Sequence, residues 1–439
     1  MEKLMMFGLG AVGRSFLKKY VKTEYGQPEN IVCVEADPSA LEFFEDCGCL
    51  RENFHTALLN EGNILDYLNL LDPGDYLIDF ANNIRSLDVL DWALKNEIHY
   101  ISLADAGWDD DPDECNGFRP RFLEYKKIKE AGGTYKNTSI VMYGMNPGLV
   151  SAFVKKCISE IIINDDSPYM RENRDRFTEL FEQRKWKELS GEMDIESVIE
   201  VDNDDQVFDV RPEDGAIYSP WCPESYRFES LAPTELLLGT GQNTDRPGNI
   251  NSYEPEDMYV RLNECALDCP EYFYSPQGMT TGLLTSHEEL FTINDMLSSK
   301  EHRVTTAFIY SSCDLAADSL KRNRSLKSPE YRLLSRDVLV RGGESVGIII
   351  QGSKFKPRYF GNFVDSLKLK DETATVYQVS SSALSALLYI RSHPSEGFLF
   401  PEDLDTEEVL DTASAYLGSY ISCECPGIRL KMGRPDNKR

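Results

Sequence analysis

The 439-residue chain is short of basic residues, with 46 Lys and Arg against 74 Asp and Glu, a formal net charge of −28. Polyanion binding needs clustered cations on a protein surface, so DNA and RNA are excluded as natural partners. A cationic ligand suits this balance. There is no stretch of apolar residues long enough for a membrane span, and no basic segment followed by an apolar one at the N-terminus. The apolar run Leu4 to Leu9 is short and broken by glycine, as in a buried strand, and a cytoplasmic protein is expected. Eleven cysteines are present, but the close pairs Cys47/Cys49, Cys265/Cys269 and Cys423/Cys425 all lack the two-residue gap of zinc or redox motifs. Reduced thiols and no metal site are expected. Internal repeats, low-complexity tracts and coiled-coil heptads are also missing.

What remains is an ordinary globular composition, 41% hydrophobic and 27% charged, in a chain long enough for two domains or at most three. Its first part alternates short apolar runs with helical patterns, the signature of a parallel α/β sheet. Strands are predicted at 4–8, 30–35, 49–54, 76–80, 99–104 and 139–144, with helices near 12–20, 39–46, 63–71, 85–95 and 120–131. The expected fold is a Rossmann-type doubly wound parallel sheet over 1–147, then an α+β domain with a mixed or antiparallel sheet over 148–375. A C-terminal helical segment, 376–439, is expected to pack back on the first domain. In the second domain a polar stretch at 164–175 precedes strands at 197–201, 282–285, 304–310, 338–341 and 345–351.

The loop Gly8-Leu9-Gly10-Ala11-Val12-Gly13 follows the first strand and opens a helix, and Glu35 ends the next strand 22 residues after Gly13. This context makes it a dinucleotide fingerprint. Gly8 permits the turn, Gly10 lets backbone approach a pyrophosphate, and Gly13 lets the helix pack on the sheet. Glu35 would accept from the adenosine ribose and repel a 2′-phosphate, which favours NAD over NADP. Ala81 and Asn83, after the fourth strand, lie at the edge where cofactor binds, and so do Asp105 and Asn146 after later strands.

The segment from Met142 through Asn146-Pro147-Gly148 to Ser151 resembles the matching stretch of bacterial-type homospermidine synthases, relatives of saccharopine dehydrogenase. Further similar segments follow in order: Trp221 with Glu229, Leu231 to Leu236, Leu284 to Glu289, Gln378 to Ser381, and Glu402 to Gly418. The resemblance implies an enzyme that takes a hydride from putrescine or spermidine with NAD. A second diamine displaces ammonia from the imine, and the hydride returns to give homospermidine, with NAD regenerated. It also implies a homodimer.

Trp221 matches the family tryptophan for cation–π contact with the amine, and Glu200, Glu229 and Glu289 match family carboxylates for ammonium groups. His287 and Glu289, read as a strand end, would point the same way. His287, with an ordinary pKa near neutrality, would carry protons. Asn146 would bond the nicotinamide or the amine. The family's Glu before Pro-Trp is replaced by Ala106-Gly107-Trp108, with Asp105 as its expected substitute. Two other readings fit the fold: a saccharopine-type dehydrogenase with net NADH turnover, and a non-catalytic NAD-binding protein.

Overall fold

The structure, a computed structural model, describes residues 2–108, 117–240, 250–254 and 256–432. Two compact units divide the chain: 1–149 with 376–416, and 150–375 with 417–439. Among the described residues no helix is long and apolar enough to cross a membrane.

In the first unit, seven strands run in the order Gly397–Leu399, Thr138–Ile140, His99–Ser102, Tyr76–Asp79, Leu4–Phe7, Ile31–Glu35 and Phe54–Thr56. Every neighbouring pair is parallel. Such strands are covered on both faces, which explains why they read as unbroken apolar runs such as Leu4-Met5-Met6-Phe7, all buried. The strand order reverses between Leu4–Phe7 and Tyr76–Asp79, and ligands of doubly wound sheets bind at such a point. Gly8 leaves one of these strands and Ala81 follows the other.

The sequence pattern missed two features here. Gly397–Leu399 is a seventh strand, supplied from beyond the second unit and too short to show alternation. The expected strand at 49–54 is a 3₁₀ turn, Arg51–Asn53, leading into the short strand Phe54–Thr56.

The second unit is built on an eleven-stranded sheet. At its centre Ile195–Asp204 pairs parallel with Thr305–Ser311 and antiparallel with Gly343–Gly352. The mixed sheet expected from the sequence is therefore present. Ile199, Val201, Ala307, Ile309 and Ile349 pack together in one apolar core. Because side chains alternate along a strand, Glu200, Asp202, Phe308 and Tyr310 share the opposite face. The polar stretch at 164–175 enters a helix, Pro168–Glu182, with Met170, Phe177 and Leu180 buried along one side.

Candidate active site

At the nucleotide-binding end, Gly8 has φ +87°, a region that favours glycine, and a Cβ there would meet the Phe80 carbonyl carbon at 3.3 Å. Gly13 is tighter still, since a Cβ would lie 2.7 Å from the Gly8 carbonyl oxygen, whereas Gly10 is exposed with nothing within 4 Å of its Cβ position. The three glycines thus divide into two that pack and one that leaves space. Ala11 and Val12 begin the helix Ala11–Tyr20, whose first-turn amides have no intrahelical carbonyl to bond.

The Glu35 carboxylate accepts from the Leu9 amide at 2.5 Å and from the Asp37 amide at 2.8 Å, so it ties the glycine loop to the end of the second strand. The Ala81 amide donates to Asp79 Oδ1 (2.9 Å), and Asn83 Nδ2 donates to the Leu59 carbonyl (2.9 Å). Gly8 and Ala81 lie close together across the switch point, the Ala81 amide nitrogen 3.4 Å from where a Gly8 Cβ would stand.

The second unit gathers four of the residues singled out by sequence. Glu200 is buried on the central strand and hydrogen-bonds Glu289, which requires one proton between the two carboxyls. His287 Nδ1 contacts the Glu289 carboxylate directly and lies 3.5 Å from Glu288. Glu229, on the helix Pro223–Leu231, faces the same group.

The local geometry corrects the strand-end reading. The strand Gly278–Thr285 stops before His287, Glu288 precedes the helix, and Glu289 is the first residue of Glu289–Leu297. A strand-to-helix turn, not strand alternation, brings His287 and Glu289 together.

Electrostatics also reverse the expected roles. Burial alone would lower the His287 pKa, but Glu289, Glu288 and Glu229 outweigh it and push it up to about 10. The imidazole is thus held as a cation near neutrality, above the near-neutral value expected from its type. Burial raises Glu229 to about 8, reinforced by Glu288 and Glu289 and opposed by His287. The group that titrates near neutrality is therefore a carboxyl. His287, Glu288 and Glu289 offer ligand-type atoms within 4.8 Å of one another.

Trp221 lies in the loop between the strand Ala216–Ser219 and the helix Pro223–Leu231. Its indole Nε1 donates to Tyr310 Oη at 3.2 Å. Tyr310 stacks with Phe308, ring centroids 6.2 Å apart at 18°, and Phe308 meets the His287 ring edge at 4.8 Å. Sequence reasoning missed Phe308, Tyr310, Asp202 and Glu288. The signal for the first three was period-two alternation, Glu200 and Asp202 against Ile199 and Val201, and Phe308 and Tyr310 against Ala307 and Ile309. Glu288 carried none.

Asp105 belongs to a different arrangement. Its buried carboxylate forms an ion pair with Arg121 Nε (2.7 Å) and accepts from Tyr125 Oη (2.9 Å), both on the helix Phe118–Ala131. The carboxylate expected to substitute for the family glutamate is thus tied to this helix. Asn146 sits half-buried in a tight turn where the Gly144 amide donates to the Pro147 carbonyl (2.6 Å).

Residues 4–135 match the family model described as Saccharopine dehydrogenase NADP binding domain. Homospermidine synthase of Blastochloris viridis is 22% identical over 445 residues, covering 95% of this chain and 90% of the relative. The resemblance to homospermidine synthases holds along nearly the whole chain. A second homospermidine synthase, from Mesorhizobium japonicum, is 20% identical and covers 94% of this chain and 88% of its own. The crystal structure of the Legionella pneumophila homospermidine synthase in complex with NAD superimposes with a TM-score of 0.83 at 20% identity, covering 97% of this chain and 91% of that one. Saccharopine dehydrogenase of Saccharomyces cerevisiae follows with a TM-score of 0.52 at 9% identity, covering 96% and 100%. The fold is thus that of homospermidine synthases, with a more distant likeness to saccharopine dehydrogenase.

Proposed function

We propose that this chain is an enzyme of the homospermidine synthase kind, which transfers an aminobutyl group between diamines, putrescine first, with NAD as a recycled cofactor. The observation that carries this reading is the buried cluster of Glu200, Glu229, Glu288 and Glu289 around His287, beside an aromatic wall. So many buried carboxyls call for positive charge, and a diamine supplies it.

Bound NAD would accept a hydride from the amine-bearing carbon of one diamine and return it to the imine formed with the second, leaving no net NADH. Glu200 and Glu289 hold an ammonium group, and the Trp221 face stabilises positive charge on the reacting nitrogen. Glu229, with its pKa raised to about 8, takes a proton from the attacking ammonium and returns one to the departing ammonia. His287 stays protonated and keeps Glu289 ionised. Glu35 supports NAD over NADP, because a carboxylate at the end of the second strand would accept from the adenosine ribose and repel a 2′-phosphate. Asn146 orients the nicotinamide or the reacting amine.

A saccharopine-type dehydrogenase would handle carboxylate-bearing substrates, and an acidic cluster would repel them. Incubation of the purified protein with NAD and putrescine tests the proposal. Homospermidine and ammonia are expected in equal amounts with no accumulation of NADH absorbance. Stoichiometric NADH would establish the dehydrogenase instead, and absence of both products would refute either activity on putrescine.

A further inference from the structure

Two parts of the amine site are held by neighbouring aromatic residues of one strand. Phe308 and Tyr310 lie on the same face of Thr305–Ser311, two residues apart, so their backbone positions differ by ~6.6 Å along the strand. The His287 ring rests against Phe308 at 4.8 Å, and the Trp221 indole hangs from the Tyr310 hydroxyl at 3.2 Å. The strand pairs on one side with Ile195–Asp204, where Phe308 is opposite Glu200 and Tyr310 is opposite Asp202. Carboxylates and indole are therefore indexed to successive positions of a single rigid element.

Tyr310 is well fixed for such a task. It is buried, stacked on Phe308, and met at its ring edge by Tyr226 at 6.1 Å and 86°. Trp221, by contrast, is on a loop, and its indole N–H has Tyr310 as its hydrogen-bond acceptor. A cation gains from an aromatic ring only when it lies over the face. The hydrogen bond that sets the indole plane thus sets where a cation can sit.

We propose that the Phe308–Tyr310 pair is a length gauge for the diamine, with Tyr310 as a positioning residue that fixes the Trp221 face at a set distance from the Glu200–Glu289 pair. One two-residue step of a strand is close to the span of a four-carbon diamine. Three- and five-carbon diamines would place one nitrogen off the indole face or away from the carboxylates. This inference rests on the proposed diamine activity.

The test is the specificity of Tyr310→Phe among 1,3-diaminopropane, putrescine and cadaverine, with Tyr226→Phe as a control that trims the same cluster without touching the indole. Tyr310→Phe is expected to lose about five- to ten-fold of the preference for putrescine, mainly through KM, the effect of one hydrogen bond. Tyr226→Phe is expected to retain the preference. An equal loss with all three diamines, or none, overturns the gauge while leaving the activity standing. A wild-type protein that makes no triamine from any of them overturns both. A second measurement does not depend on turnover or on Tyr310→Phe: Trp221 emission, obtained by difference from Trp221→Phe, should respond most strongly to putrescine. Equal responses to the three diamines would sink the proposal.

Discussion

Gly10 and Gly13 differ in what surrounds them, and substitution should separate folding from cofactor binding. A methyl at position 13 collides with the Gly8 backbone, whereas one at position 10 meets only open space. Gly13→Ala is expected to lower both thermal stability and NAD affinity. Gly10→Ala should keep the melting temperature within a degree or two yet weaken NAD by at least about ten-fold, because the added methyl stands where the pyrophosphate approaches. Calorimetric titration with NAD beside thermal melts reads both, and an undiminished affinity in Gly10→Ala would remove the phosphates from this loop.

The buried acids and His287 give a second expectation. His287 rises from 6.5 to about 10, so its stabilising contribution is complete below pH 6.5 and is lost as pH climbs toward 10. Glu229 rises from 4.5 to about 8, and Asp79 and Asp204 from 3.8 to about 7, through burial. A raised carboxyl costs stability as pH passes from its unfolded value to its folded one. All four signs agree. The melting temperature without ligand should fall by several degrees between pH 5.5 and 9, and putrescine should recover part of the loss by binding only the folded state. A flat profile would contradict these assignments.

At the scale of elements, the first unit was largely legible because parallel strands buried on both faces are apolar runs, and crossover helices separate them. Glu200 and Glu289 came from resemblance, but their meeting came only from the fold, which sets the start of a helix beside the face of a central strand far from it in sequence. The Thr285–Glu289 turn carries no Gly or Pro, so nothing in it marked the end of the strand. Pro168–Glu182 reads only as polar in sequence because just Met170, Phe177 and Leu180 face inward, spaced by seven and three residues. Asp105 follows a strand end, which suggests the cofactor edge, while its side chain bonds to the helix Phe118–Ala131. Replacing it leaves Arg121 buried without its counter-charge. Asp105→Asn is accordingly expected to cost about 3–5 kcal/mol in denaturant unfolding, with turnover per folded molecule retained. Unchanged stability with lost turnover would restore the catalytic reading.

For the molecule as a whole, a net charge of −28 acts with opposite sign on the two ligands proposed for it. A diamine is a dication and is drawn in, whereas NAD is an anion and is repelled over distances comparable to the Debye length. Raising salt from about 20 to 300 mM shortens that length severalfold. The kcat/KM for putrescine should then fall, while the apparent affinity for NAD should stay level or improve. A shared decline would point to loss of folded structure, which melts at each salt concentration would reveal. Improvement for putrescine would place its binding site outside the negative field and argue against the Glu200–Glu229–Glu289 cluster as the amine site. A homodimer, as the resemblance implies, would concentrate this charge further and steepen the salt dependence. Sedimentation at both salt concentrations would show whether the assembly persists and whether the slope follows the charge of one chain or two.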